Sequence, residues 1–195
     1  MKPTILPAGT PLVLASGSPR RRELLTAMGL SFTVTVSDVP EDVPEGTLPS
    51  EAVCLIARRK AEAVMATLPA DTVVLAADTT VARDAVCLGK PRDAEDAVSM
   101  LLSLAGRAHT VYTGVAVGYR GRVVVAYEAT EVRFLPFDRA EAEAYVATGE
   151  PMDKAGAYGI QGLGGRLVAG IDGEFDNVVG LPCRLASRLL AEVTG

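Results

Sequence analysis

The stretch Leu12-Val13-Leu14-Ala15-Ser16-Gly17-Ser18-Pro19-Arg20-Arg21-Arg22-Glu23-Leu24-Leu25 decides how this chain is read. Its first four residues form a short continuous apolar run, the pattern of a strand buried on both faces. Ser16-Gly17-Ser18 is a turn. Ser18 suits the cap of a helix, and Pro19 suits its first position, where no backbone donor is needed. The helix is expected to run to about Met28, with Gly29 as its stop. Arg20, Arg21 and Arg22 then fall in the first turn, where the helix dipole penalises each cation by about 0.3–1 kcal/mol. The same turn has outward-facing backbone N–H groups, so a bound phosphate would convert the penalty into a gain. The plainer reading is a solvated basic turn.

A second continuous run, Thr72-Val73-Val74-Leu75-Ala76-Ala77, reads as another central strand. It is expected to end at Asp78-Thr79-Thr80. Ligands of open α/β sheets bind at the carboxyl ends of strands. If the two strands are parallel neighbours, Asp78, Ser16 and the arginine turn share one crevice. On the plainer view Asp78 caps a turn.

Between these runs, residues 31–37 alternate polar and apolar, which predicts a half-buried strand. Asp38-Val39-Pro40-Glu41-Asp42-Val43-Pro44-Glu45-Gly46 is a loop. Its four carboxylates suit either a hard cation or plain solvation. Ser50 is expected to cap a helix over residues 51–67 with the stripe Val53, Ile56, Ala57, Val64 and Leu68. Lys60 lies in that stripe, so it either snorkels past the core or points its ammonium into a pocket. Arg58 and Arg59 lie off the stripe and read as surface charge.

Downstream, residues 83–88 suggest a short hairpin, and Asp93 caps a helix over 94–104. Residues 107–119 and 122–134 are long β-rich runs joined at Arg120-Gly121. Asp138 opens a helix reaching about Thr148. Residues 156–173 hold seven glycines, a loop whose backbone a ligand can approach closely, followed by a strand over 166–171. Residues 181–193 form a closing amphipathic helix. Gly89-Lys90 is not a P-loop, since Asp84 stands where the earlier glycine would be.

The totals narrow the function. A chain of 195 residues with 49% hydrophobic content fits one domain over 1–195, or two lobes around a cleft. A net charge of −5 argues against broad nucleic-acid binding, which needs a basic face. Cys54, Cys87 and Cys183 are odd in number and far apart, which suits a reducing compartment. The opening residues lack a signal-peptide run, and no run approaches the roughly 20 apolar residues of a spanning helix. A cytoplasmic protein with no membrane partner is expected. His109 is the only histidine, so a His-pair metal site is excluded, and its plain reading is a structural imidazole.

Several of these segments resemble the Maf family of nucleotide pyrophosphatases: Leu14-Ala15-Ser16-Gly17-Ser18-Pro19-Arg20-Arg21, Ala77-Asp78-Thr79, Gly89-Lys90-Pro91-Arg92-Asp93-Ala94, Asp153-Lys154-Ala155-Gly156-Ala157-Tyr158-Gly159-Ile160-Gln161-Gly162 and Asn177-Val178-Val179-Gly180-Leu181-Pro182. The resemblance implies an α/β fold related to inosine triphosphate pyrophosphatases, with an elongated mixed β-sheet flanked by helices, a central cleft and often a homodimer. It implies hydrolysis of dTTP and UTP, or modified pyrimidine nucleotides, to the monophosphate and pyrophosphate with a divalent metal, Mg2+ or Mn2+. Arg20, Thr79 and Gln161 match the branch that takes these pyrimidine substrates. Asp78 would activate water. Ser16, Arg20, Arg21, Lys60 and Lys90 would hold the triphosphate. Glu41 matches the family's loop acid, with Asp78 as a second metal ligand; the acidic residue that often precedes it is Pro40 here. Two rivals remain: a non-catalytic nucleotide-binding regulator of cell division, and an inosine triphosphate-type pyrophosphatase.

Overall fold

The computed structural model describes residues 6–7 and 9–195. The first five residues, part of the opening on which the cytoplasmic expectation drew, lie outside the described residues. Chain order is β1 (Leu12–Leu14), α1 (Pro19–Ala27), β2 (Thr33–Val34), α2 (Pro49–Met65), β3 (Val73–Arg83), β4 (Val86–Leu88), α3 (Ala94–Leu104), β5 (Ala108–Tyr119), β6 (Arg122–Phe134), α4 (Arg139–Val146), β7 (Val168–Asp172), α5 (Phe175–Val179) and α6 (Cys183–Thr194). The strands form a mixed seven-stranded sheet in the order β2-β1-β3-β5-β6-β7, with β4 paired to β3. Helices flank it, so the expected α/β class with a mixed sheet holds.

The described chain divides into two compact units. One comprises the residues up to Asp78 with Thr113–Glu128 and Gly180–Gly195; the other comprises Thr79–Tyr112 and Ala129–Val179.

In the first unit β1 runs parallel to both β2 and β3, with Leu12 opposite Val73 and Leu14 opposite Leu75. The continuous apolar runs are explained by burial on both faces. Leu12, Leu14, Val73 and Leu75 pack with Leu25 of α1 and Leu185, Leu189 and Leu190 of α6. Val13, Ala15, Val74 and Ala76 pack on the other face with Ala57, Ala61 and Val64 of α2. In the second unit Leu101 and Leu104 of α3 and Ala142, Tyr145 and Val146 of α4 share a core with Val111, Val132 and Phe134. β4 and β7 pair antiparallel there, with β3 and β6.

Both expected hairpins form. Asp84 and Ala85, and likewise Arg120 and Gly121, have positive φ, the backbone of a tight turn whose twist matches its strands. Four expectations change. The strand predicted over 31–37 shrinks to Thr33–Val34, because it is a sheet edge whose partner β1 spans three residues. Ser50 does not cap α2: Leu48 does, and the Leu48 carbonyl accepts from the Glu51 and Ala52 amides, with Pro49 at the first helical position. The strand expected to end at Asp78 continues to Arg83, because its far half packs into the second core through Val81 and turns into β4. The short helix α5 was not foreseen, since five residues are too few to show a helical period.

Candidate active site

In the first unit two of the expected acids meet on one expected ammonium. Lys60 sits in the apolar stripe of α2, and its side chain resolves the choice left by the sequence: Nζ lies 2.8 Å from Asp78 Oδ1 and 2.6 Å from Glu41 Oε1. The Lys60 and Asp78 side chains are 12% and 14% exposed, whereas Glu41 is 59% exposed. The pair is thus largely withdrawn from water, where opposite charges hold each other more tightly, and the loop acid reaches it from outside.

Arg21 of α1 feels the charges of the same two acids. Ser18 caps α1 by accepting from the Arg21 amide. The Arg21 guanidinium donates through Nε to the Gly180 carbonyl at 2.8 Å and through Nη1 to Ser16 Oγ at 3.2 Å. Burial lowers its hold on its proton; the charge of Asp78 opposes that, Arg20 adds to it and Glu41 again opposes it. Ser16 is itself buried and also accepts from the Ser18 amide. Arg20 is half-buried on the same turn, and Arg22 is exposed. The three arginines therefore divide: one is built into the fold, one lies at its margin, and one faces solvent.

Asp78 is not at the end of its strand, as expected, but inside β3, past Leu75 where the pairing with β1 stops. Beyond Leu75 it is the neighbour β1 that ends, not β3. Arg59, read from sequence as surface charge, donates to the carbonyls of Pro40 and Asp42 and so ties down the acidic loop. No group of three or more His, Cys, Asp or Glu side chains able to hold a metal forms among the described residues. Glu41 and Asp78 converge on the Lys60 ammonium, and a hard cation such as Mg2+ is commonly held by one or two carboxylates together with substrate phosphates. This donor set fits such a cation.

In the second unit Thr79 is half-buried, directly after Asp78 in the chain, and Lys90 and Gln161 are exposed. The glycine-rich segment is the one read from sequence as a backbone that a ligand can approach closely. It wraps a carboxylate of its own. Glu150 accepts from the Tyr145 hydroxyl at 2.8 Å and from the amides of Leu163 at 2.9 Å and Gly164 at 3.1 Å. The Tyr145 oxygen in turn accepts from the Gly159 amide. Burial raises the Glu150 pKa, but the Leu163 and Gly164 amides, the Tyr145 hydroxyl and the Lys154 charge together outweigh it, and the net shift is downward. A Cβ on Gly162 would sit 2.4 Å from Glu150 Oε2, and one on Gly164 would sit 2.5 Å from the Tyr145 oxygen. The glycines let the backbone close on this pair, with Gln161 at the exposed bend. The signal was present in sequence as a lone Glu150 before Pro151, but nothing local linked it to residues a dozen positions on.

His109 takes its structural reading. It is buried, its Nε2 lies 2.8 Å from the Tyr158 oxygen, and it makes edge contacts with Phe134 and Tyr158. No helix among the described residues is long and apolar enough to cross a membrane.

The chain is thus a mixed α/β protein in which a withdrawn strand carboxylate shares a helix ammonium with a loop acid, and a guanidinium on α1 is tethered to the fold. Residues 11–193 match the family described as Maf-like protein, and the chain belongs to that family. Among its relatives are a dTTP/UTP pyrophosphatase of Symbiobacterium thermophilum, 49% identical over 93% of both chains, and one of Moorella thermoacetica, 53% identical over 92% of this chain and 93% of that one. Another of the same name, from Vibrio cholerae, is 50% identical over 92% of this chain and 96% of its own. Two solved structures align over 63% of this chain at 16% identity. They are a dITP/XTP pyrophosphatase of Mycobacterium abscessus (72% of that chain, TM-score 0.39) and the Ham1 protein of Staphylococcus aureus (71%, TM-score 0.42).

Proposed function

We propose that this protein is a nucleoside triphosphate pyrophosphatase that hydrolyses dTTP and UTP to the monophosphate and pyrophosphate. The observation that carries the reading is the Lys60 ammonium shared by Asp78 and Glu41, in a chain about half identical to proteins of that name. A pure binding module has no need of a withdrawn carboxylate beside its phosphate-binding cations; a hydrolase needs one to take a proton.

Asp78 commits Oδ1 to Lys60, which fixes the carboxylate and leaves its second oxygen to accept the proton of the attacking water. That water attacks the α-phosphorus. The bond from the α-phosphorus to the oxygen bridging it to the β-phosphate breaks, and pyrophosphate leaves. Lys60, Arg20 and Arg21 hold the phosphate oxygens with charge-assisted hydrogen bonds, and Ser16 donates its hydroxyl hydrogen. Lys90 adds a further cation. Glu41 and Asp78 are the residues that would hold a divalent cation, which when bound supplies charge neutralisation on the leaving pyrophosphate. Arg20, Thr79 and Gln161 select the base. The Gln161 amide both donates and accepts, and so can pair with the O4/N3 edge of uracil or thymine. Cys54, Cys87 and Cys183 form no disulfide, which supports a reducing, cytoplasmic setting. A homodimer, implied by the family resemblance, completes the reading.

A substrate panel with pyrophosphate detection tests it: UTP and dTTP against ITP, XTP, CTP and GTP. Pyrophosphate release confined to UTP and dTTP is expected. Turnover of ITP and XTP instead would assign an inosine triphosphate-type enzyme. Binding without release would make the protein a sensor.

A further inference from the structure

We infer that Arg59 is a positioning residue for the Glu41 carboxylate. Glu41 is a long, mostly exposed side chain on an irregular segment carrying Pro40 and Pro44. Such a group is expected to sample many positions, yet its Oε1 lies 2.6 Å from Lys60 Nζ. The backbone on both sides of it is held. Arg59 Nη1 donates to the Asp42 carbonyl at 2.6 Å and to the Pro40 carbonyl at 3.3 Å. These are the residues immediately before and after Glu41. Arg59 and Lys60 are consecutive on α2, so one helical turn sets both halves of the contact: the guanidinium anchors the loop and the ammonium receives its acid.

The chemistry favours arginine. Both bonds leave Nη1, whose two hydrogens are held in the rigid guanidinium plane, whereas an ammonium is a compact point on a flexible stem. Pro40 restricts its own φ and offers no N–H, so the loop on that side has its carbonyl available to be held. Thr47, through its amide and its hydroxyl, closes the far end of the segment on the Pro44 carbonyl. Without Arg59 the stretch between β2 and that turn loses its backbone tie to α2, and Glu41 reaches Lys60 in only a fraction of molecules.

The inference rests on the proposed pyrophosphatase reading, in which Glu41 acts in turnover. Its test is a double-mutant cycle on UTP hydrolysis with Arg59→Ala, Glu41→Gln and both together, plus Arg59→Lys. Thermal melts and amide exchange over residues 40–45 accompany each variant. Arg59→Ala is expected to lower kcat/KM about 3- to 30-fold, inside the roughly 2- to 150-fold range of coupled neighbours. It should have no further effect on top of Glu41→Gln. Arg59→Lys should recover part of the loss. Exchange over 40–45 should speed up in Arg59→Ala while the melting midpoint stays near wild type. The inference is overturned by wild-type kinetics in Arg59→Ala or in Glu41→Gln, or by effects that multiply in the double variant. If the wild-type protein releases no pyrophosphate from any pyrimidine triphosphate, the functional reading fails by itself. Exchange then decides the clamp: unchanged rates over 40–45 in Arg59→Ala overturn it, and faster rates support it.

Discussion

Lys60 interrupts an apolar stripe, and a lysine in such a place either reaches water or finds a carboxylate. Here it finds two. Replacing Asp78 by Asn keeps the shape and removes the base. Turnover of UTP is expected to fall by about 10²–10⁴-fold, with circular dichroism unchanged; a rate near wild type would reject Asp78 as the base. His109 carries a different kind of prediction. Burial lowers its pKa from 6.5 to about 4. The folded protein therefore binds fewer protons than the unfolded chain between these values. Stability is complete above pH 6.5, declines as pH falls through that window, and levels off for this group below about 4. The loss is about 3 kcal/mol. Urea titrations of wild type and His109→Gln across pH 4 to 7 should show this component of the slope in the first and not in the second.

At the scale of the element, two kinds of glycine do different work. Those at 159–165 let a loop fold onto Glu150 and Tyr145. Gly114 lets β5 lie against the backbone of α2, since a Cβ there would sit 2.4 Å from the Val53 carbonyl oxygen. Removing the carboxylate with Glu150→Ala strips the partner from two loop amides and from the Tyr145 hydroxyl. A cost of about 1–3 kcal/mol follows from leaving such groups unpaired, read as a lower melting temperature. The KM for UTP should also rise more than kcat falls, because the loop carrying Gln161 loosens while Asp78 is untouched. Equal UTP kinetics in Glu150→Ala and wild type would detach this loop from substrate binding.

For the molecule as a whole, the route of the chain matters more than any contact. β3, β5 and β6 each begin in one compact unit and finish in the other. Neither unit is a continuous piece of sequence, so neither can be cut out by truncation. Melting of one is therefore expected to accompany melting of the other. Leu190→Ala, in the core of the first unit, and Leu101→Ala, in that of the second, are both fully buried changes. Each should cost about 2–5 kcal/mol. In denaturant, both should shift one single transition followed by circular dichroism and by tyrosine fluorescence. Two separated transitions in either variant would show that the units unfold independently.

The two buried parallel strands, the capped first helix, both hairpin turns and the α/β class were legible in the chain, because each is written in neighbouring residues: apolar runs, Ser18-Pro19, Arg120-Gly121. The cationic cluster was legible as a list of residues through motif resemblance, and the parallel pairing of the strands leading to Ser16 and Asp78 was foreseen, but the meeting of Glu41 and Asp78 on Lys60 was not. Tertiary structure decided the remainder. It continued β3 past Asp78, since packing of Val81 outweighed the local turn signal. It cut the second strand to two residues at the sheet edge. It made Arg59 a tether rather than surface charge, and it wrapped the glycines around Glu150. Each of these depends on partners far apart in sequence, and hydrogen bonds and burial between such partners leave no periodicity in the segments that make them.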